Sequence, residues 1–165
     1  MIEYWDVYDK DKNKLDKVVT RGETLKDNEY HLVVCVWIRN SEGKFLISQR
    51  SANKKHPLLW EASGGSALKG ETSLDAALRE IKEEVGIMLD PNKGKLFGST
   101  IRNYPNCSDI YDVWLFENNT PIADLILQKE EVNDAKWVTV DEIKELAKLK
   151  QFDINPFFEE VLQIK

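Results

Sequence analysis

The longest uninterrupted apolar block in the chain is Leu32 to Ile38, preceded by His31 and reading HLVVCVWI in full. An unbroken, β-branched run suits a strand covered on both faces. Asn40-Ser41-Glu42-Gly43 then has turn composition, and Phe45-Leu46-Ile47 resumes as the partner strand before the polar Ser48-Gln49-Arg50-Ser51. Upstream, residues 2–8 and 15–19 flank the polar Asp9-Lys10-Asp11-Lys12-Asn13-Lys14, which predicts an N-terminal β-hairpin closed off by Arg21-Gly22-Glu23. Between Thr72 and Val85 the period changes. Leu74, Ala77, Leu78, Ile81 and Val85 fall on one helical face, with Thr72 or Ser73 as cap and Gly86 as stop. Glu80 and Glu84 stand one turn apart with Glu83 beside them, and this spacing predicts that they project away from the apolar stripe.

Beyond Pro91-Asn92-Lys93-Gly94, strands are expected at 95–103, 110–117 and around 135–138, and the apolar residues 122–127 read as one more. Asp141 to Lys150 predicts an amphipathic helix with Ile143, Leu146, Ala147 and Lys150 in register. Asn155-Pro156 predicts a short last helix with proline in its first turn. Strand-rich stretches broken by two or three helices give an α/β chain, with a mixed sheet and helices on its faces. No repeat, low-complexity stretch or linker divides the 165 residues, so one domain over 1–165 is expected.

Composition narrows the class. Hydrophobic residues make up 42% and charged residues 32%, as in soluble globular proteins. A net charge of −6 argues against a nucleic-acid polymer as partner. No apolar run is long enough to span a bilayer, and Met1-Ile2-Glu3-Tyr4-Trp5-Asp6 lacks the basic start of a signal peptide, so no membrane partner is expected. Cys35 and Cys107 have no C-x-x-C spacing and read as reduced thiols of a cytoplasmic protein. Trp37, Trp60, Trp114 and Trp137 read as core, and His31 and His56 as core or solvated side chains.

The candidate chemistry lies around Gly64-Gly65 and the helix that follows. Glu80, Glu83 and Glu84 share about one turn of that helix. Crowded carboxylates stay ionised most readily around a divalent cation, which predicts a Mg²⁺ site for a phosphorylated substrate. The stretch Gly65 to Ile87 fits Gly-x5-Glu-x7-Arg-Glu-apolar-x-Glu-Glu-x-Gly-apolar at every fixed position. Seven specified residues would coincide on the order of once in ~10⁸ windows at average usage.

In this the chain resembles the Nudix hydrolases. The resemblance implies a Nudix-type α/β/α sandwich, with the domain core over 30–140, the hairpin extension over 1–29 and C-terminal helices over 141–165. Glu3-Tyr4-Trp5-Asp6 and Asn155-Pro156-Phe157 resemble the branch related to isopentenyl diphosphate isomerase. It further implies one to three Mg²⁺ or Mn²⁺ ions held by Glu80, Glu83, Glu84 and the Gly64 carbonyl. Glu71 would reach the metal through water, and Arg79 would orient the glutamates. Glu131, six positions before Trp137, would be a metal ligand or general base, with Glu130 as its rival; Glu80 and Glu84 are the other catalytic candidates. Arg50 is read either as a holder of substrate phosphate or as a surface ion pair. The implied activity is hydrolysis of the P–O–P linkage in a small nucleoside diphosphate joined to another moiety, by attack of water at phosphorus. Many relatives are homodimers, and the sequence leaves the oligomeric state open. Two alternatives were weighed. The isomerase uses a cysteine just before the box, where this chain has Ala62-Ser63-Gly64-Gly65-Ser66. A non-catalytic binding domain tends to lose box carboxylates, and here all are present.

Overall fold

The computed structural model describes residues 1–165. Two antiparallel strands, β1 (Tyr4–Tyr8) and β2 (Lys14–Thr20), form the expected hairpin. It has a small core of its own, built from Trp5, Val7, Val19 and Leu25. The central strand β3 (His31–Arg39) is buried along nearly its whole length. Its side chains alternate between two cores, as a strand requires. Leu32, Val34, Val36 and Ile38 join one cluster, and Cys35 and Trp37 the other.

The main sheet is seven-stranded and mixed. β3 runs parallel to β8 (Asp109–Glu117) in register from His31↔Asp109 to Arg39↔Glu117, and β7 (Lys95–Arg102) closes that edge. On its other side β3 pairs with β4 (Phe45–Arg50) only at Ile38↔Leu46 and Arg39↔Phe45. The two strands then part. β6 (Gly64–Ser66) takes the free edge of β3, while β5 (Trp60–Glu61) and β9 (Val132–Val138) pair with β4. The stretch just before the helix is therefore strand at Gly64–Ser66, paired with β3 where β4 has left it.

Helix α1 (Ser73–Val85) covers one face through Ala76, Ala77, Ile81 and Val85. The opposite face is covered by α2 (Val140–Lys148) and α3 (Phe158–Leu162), with Ile143, Phe158, Val161 and Leu162 against Trp37 and Phe45. This is the α/β/α sandwich expected. Gly86 ends α1 at φ 77°, a left-handed conformation that favours glycine. No helix is long and apolar enough to cross a membrane.

Three local expectations fail. Residues 122–127 are not a strand: Ile122–Asp124 is a 3₁₀ turn opened by Pro121. The segment's amides bond instead to the end of α1, Ile126 to the Val85 carbonyl and Gln128 to that of Glu84, both at 3.1 Å. Its apolar residues Leu125 and Leu127 still pack on the core, which is why periodicity alone misreads it. Lys150 lies outside the second helix, exposed at φ 58°, because α2 stops at Lys148. The last helix begins at Phe158, not at Pro156, because Phe157 before it has φ 68° and breaks helical continuity.

Candidate active site

Helix α1 is fixed at its start by a capping box. The Thr72 hydroxyl accepts from the Asp75 amide at 3.1 Å, and the Asp75 carboxylate accepts from the Thr72 amide at 2.9 Å. From this anchor the helix carries Arg79, Glu80, Glu83 and Glu84 toward Gly64 and Gly65 of β6. Arg79 organises the acids around it. It donates to both oxygens of Glu71 at 2.6 and 3.0 Å, to Glu80 at 2.9 Å, to Glu83 at 3.1 Å and to the Ser66 carbonyl at 3.1 Å. Glu71 in turn accepts from the Leu68 amide, so the loop and the helix are stitched together. Burial works against the Arg79 charge, but Glu71 and Glu80 more than offset it and raise its pKa. The side chain is a fixed cation.

The backbone of β6 packs closely on its neighbours at both glycines. A Cβ on Gly65 would collide with the Glu80 carboxylate, and one on Gly64 with the Val34 carbonyl oxygen. Glu80 is mostly covered, and burial raises its pKa against the pull of Arg79. Glu84 is the exceptional residue. It is only 4% exposed, and its Oε2 is buried without a hydrogen-bond partner. Burial, followed by the negative charges of Glu80 and Glu61, pushes its carboxyl up to about 8. The expectation that Glu84 projects away from the apolar stripe is thus corrected: it flanks the stripe and is covered. The spacing carried that signal, since Glu84 follows Ile81 by three and Ala77 by seven, both helical neighbours on the buried side.

Glu80, Glu83, Glu84, Gly64 and Gly65 line a concave site of about 140 Å³, together with Glu131 and Lys54. Glu131 is therefore brought to the acids although it lies in the loop before β9; Glu130 does not line the site. Lys54 forms an ion pair with Glu131. The side chains do not converge on one point as a ready three-ligand set, because Arg79 draws Glu80 and Glu83 to itself. Arg50 lies outside this hollow, in the cleft alongside. Its guanidinium donates to both oxygens of Glu61 at 2.8 and 3.1 Å, and its Nε to the Lys55 carbonyl at 2.8 Å. Sequence reasoning missed Lys54, Glu61 and the hairpin residue Arg21, which also reaches the hollow. Glu61 had a sequence signal, an acid three positions before Gly64 at the start of the glutamate-rich stretch.

Both cysteines are free. Cys107 Sγ lies 3.6 Å from His31 Nε2. Burial raises the Cys107 pKa and pushes His31 down to about 4, so the pair is a neutral thiol and a neutral imidazole rather than an activated thiolate.

A mixed sheet between helices, with a Gly-Gly strand feeding a glutamate-rich helix, defines a Nudix-type sandwich. The family model described as the NUDIX domain matches residues 29–160. A Nudix hydrolase of Listeria monocytogenes, itself named as uncharacterised, is 38% identical over 99% of this chain and 96% of its own length. A nucleoside triphosphatase, NudI of Enterobacter, is 31% identical over 69% of this chain and 85% of its own. Among solved structures, DR0079 from Deinococcus radiodurans superposes with a TM-score of 0.75 at 20% identity, covering 96% of this chain and 97% of that one. The chain belongs to the Nudix family, whose members are hydrolases of acid anhydrides.

Proposed function

We propose that the protein is a Mg²⁺- or Mn²⁺-dependent hydrolase that cleaves the P–O–P linkage of a nucleoside diphosphate joined to another group. The observation that carries this reading is Glu84, a buried carboxylate with an oxygen left unpartnered in a hollow also lined by Glu80, Glu83 and Glu131. A buried acid without a partner costs free energy, and an oxygen-seeking cation is the partner its surroundings suit. All four side chains offer oxygen, the donor Mg²⁺ and Mn²⁺ prefer. The residues that would hold the ion are Glu80, Glu83, Glu84 and the Gly64 carbonyl.

When bound, the cation supplies positive charge for the phosphate oxygens and makes water a better nucleophile at neutral pH. The chain's own residues do the rest. Arg79 fixes Glu80 and Glu83 relative to Glu71 and to the loop. Glu131 is the candidate to take the proton of the attacking water, since it lines the same hollow as the acids and is 40% exposed. Lys54, paired with it, offers a cation to the substrate's phosphates at the same wall. The relative named as a nucleoside triphosphatase supports a nucleotide as substrate.

The resemblance to the isomerase branch does not extend to the acid that isomerisation requires. Cys35 is fully covered in β3, and Cys107 pairs with His31 away from the loop before the box. Hydrolysis is tested with a panel of nucleoside diphosphate derivatives, prenyl diphosphates and inorganic pyrophosphate, assayed with Mg²⁺, with Mn²⁺ and with chelator. Release of two phosphorylated products, abolished by chelator, is expected; absence of any P–O–P cleavage with either metal would defeat the proposal.

A further inference from the structure

The N-terminal hairpin meets the acidic site at a four-residue turn between β6 and α1, Leu68-Lys69-Gly70-Glu71, with Gly70 at the φ of 86° that a turn of this kind requires. All four of its amides are bonded. The Glu71 amide closes the turn onto the Leu68 carbonyl at 3.0 Å, and the Leu68 amide donates to the Glu71 carboxylate at 2.8 Å. The two central amides donate to β1, Lys69 to the Tyr4 carbonyl and Gly70 to the Asp6 carboxylate, both at 2.7 Å. We propose that Asp6 is a positioning residue of the active site: its hold on Gly70 sets the place of Glu71, and through Glu71 and Arg79 the places of Glu80 and Glu83. This rests on the reading of the hollow as the hydrolytic centre and makes the hairpin a working part of it.

Asp6 is an unexpected residue for its place in β1. Strand alternation turns Trp5 and Val7 into the hairpin's own core and Asp6 to the opposite face, yet Asp6 is only 4% exposed. Burying a carboxylate costs free energy unless it is fully paired. Here it is paired on one side only. Oδ2 takes the Gly70 amide and the Lys14 ammonium, the latter also at 2.7 Å, while Oδ1 is buried with no partner. Burial works against the charge, but Lys14 and the Gly70 amide outweigh it and hold the carboxyl below its usual range. A well-packed apolar residue would serve the stability of the hairpin at least as well, so stability alone is a poor account of the charge. A firm acceptor for a turn amide is a better one, because an ionised oxygen binds a backbone N–H about twice as strongly as a neutral one.

From the turn to the acids the connection is short. Nε and Nη2 of Arg79 bind the two oxygens of Glu71, and Nη1 reaches Glu80 and Glu83. On its N-terminal side the turn is tied to the sheet by the Ala67 amide, which donates to the Leu32 carbonyl at 2.8 Å. Its middle is held by the hairpin. A turn released there would let Glu71 shift and take Arg79 with it. The hairpin reaches the same place a second time, because Glu3 and Arg21, joined at 2.8 Å, line the hollow with Glu80 and Glu84. Its other charged tie, Lys12 to Asp112, goes to β8 and bonds to neither the turn nor the acids. The hairpin thus has one attachment that serves the fold and one that serves the site.

The test sets Asp6→Ala against Asp6→Asn, which keeps an acceptor oxygen for the Gly70 amide, and against Asp112→Ala, which frees the hairpin at Lys12 and leaves the turn alone. Mn²⁺ binding to the full chain without substrate, followed by electron paramagnetic resonance, needs no turnover. Asp6→Ala should bind Mn²⁺ at least about ten-fold more weakly than wild type, Asp6→Asn should recover most of that loss, and Asp112→Ala should stay close to wild type. In kinetics, the Mg²⁺ concentration for half-maximal rate of Asp6→Ala should rise by about the same factor, and excess Mg²⁺ should restore most of its kcat, as it would not for a group that takes part in the chemistry. Wild type alone supplies a further check, which holds even where Asp6→Ala does not fold. Coupling between turn and metal site is reciprocal, so Mg²⁺ should slow hydrogen exchange at the Lys69 and Gly70 amides by at least about five-fold. Wild-type Mn²⁺ affinity in Asp6→Ala, an equal loss in Asp112→Ala, or turn amides indifferent to Mg²⁺ would overturn the role of Asp6 while leaving hydrolysis standing. A wild-type protein that holds no Mn²⁺ and cleaves no P–O–P compound would instead defeat the reading of the hollow, and the role of Asp6 with it.

Discussion

Two buried acids sit at opposite ends of α1, and the protein treats them differently. Asp112 of β8 is fully covered at the helix start. It is met by Lys12 of the hairpin loop, by the Ser73 hydroxyl and by the Ser99 hydroxyl at 2.6 Å. Ser73 also accepts from Trp114 Nε1 at 2.8 Å, so this network is complete within the chain. Glu84, at the helix end, has one oxygen without a partner and two negative neighbours, Glu80 and Glu61. A covered carboxylate matched by a lysine and hydroxyls ties hairpin, sheet and helix together. One left unmatched destabilises the fold it sits in, and its presence needs a reason outside the chain. The contrast predicts that Asp112 governs stability and Glu84 governs activity.

The strongest break in that contrast is Glu84→Gln. The amide keeps the shape and removes the group's ability to ionise and hold a cation. Turnover should fall about 10³-fold, roughly 4 kcal/mol of barrier. The melting temperature should hold or rise, since a buried acid that folding must keep protonated has been removed. Kinetics and thermal melts on the same purified sample check both halves; activity within a few-fold of wild type would end the case for Glu84 as a site residue. The reciprocal variant, Asp112→Ala, strands Lys12 and two hydroxyls. It should cost about 4 kcal/mol of stability, a fall of roughly 10 °C in Tm, with kcat of the folded protein changed only a few-fold.

A third test uses the buried imidazole that links the hairpin to β3. His31 titrates at about 4 in the fold, below its ordinary 6.5, because burial disfavours its charge. The unfolded chain therefore binds the proton first as pH falls, and stability is lost between 6.5 and 4. The loss attributable to His31 is at most about 3 kcal/mol. In denaturant melts across that window, wild type should lose stability relative to His31→Phe as pH falls, because Phe still stacks on Trp5 but does not titrate. Parallel curves would remove His31 as the source.

How much of this was legible beforehand follows from the kind of signal involved. The Gly65–Ile87 stretch and the strand at His31 declare themselves, because fixed spacing and unbroken apolarity are local properties. Residues 122–127 carry the same apolar signal as a strand, yet the amides of Ile126 and the adjoining Gln128 are taken by carbonyls at the end of α1, a choice no window of sequence contains. Glu131 has a marker in its spacing to Trp137, which the family resemblance supplies, whereas Lys54, which lines the same hollow, has none. The stack of Trp5 on His31 joins two remote segments, so only the tertiary structure brings them together.

The smallest predicted effect sharpens the comparison at the helix start. Thr72 caps α1 beside the Asp112 network but touches none of the acids at the other end. Thr72→Ala leaves the Asp75 amide without its side-chain acceptor and should cost about 1 kcal/mol, with Tm lower by a few degrees. The helix is further held by Ala76, Ala77 and Ile81 in the core and by Arg79 bonded to Glu71 and Ser66, so its register should not move. The acids should then keep their places, and kcat and the Mg²⁺ concentration for half-maximal rate should stay within two-fold of wild type. A Thr72→Ala protein that stays folded but needs much more Mg²⁺ would tie the two ends of the helix together energetically. The division between a structural end and a reactive end would then be wrong.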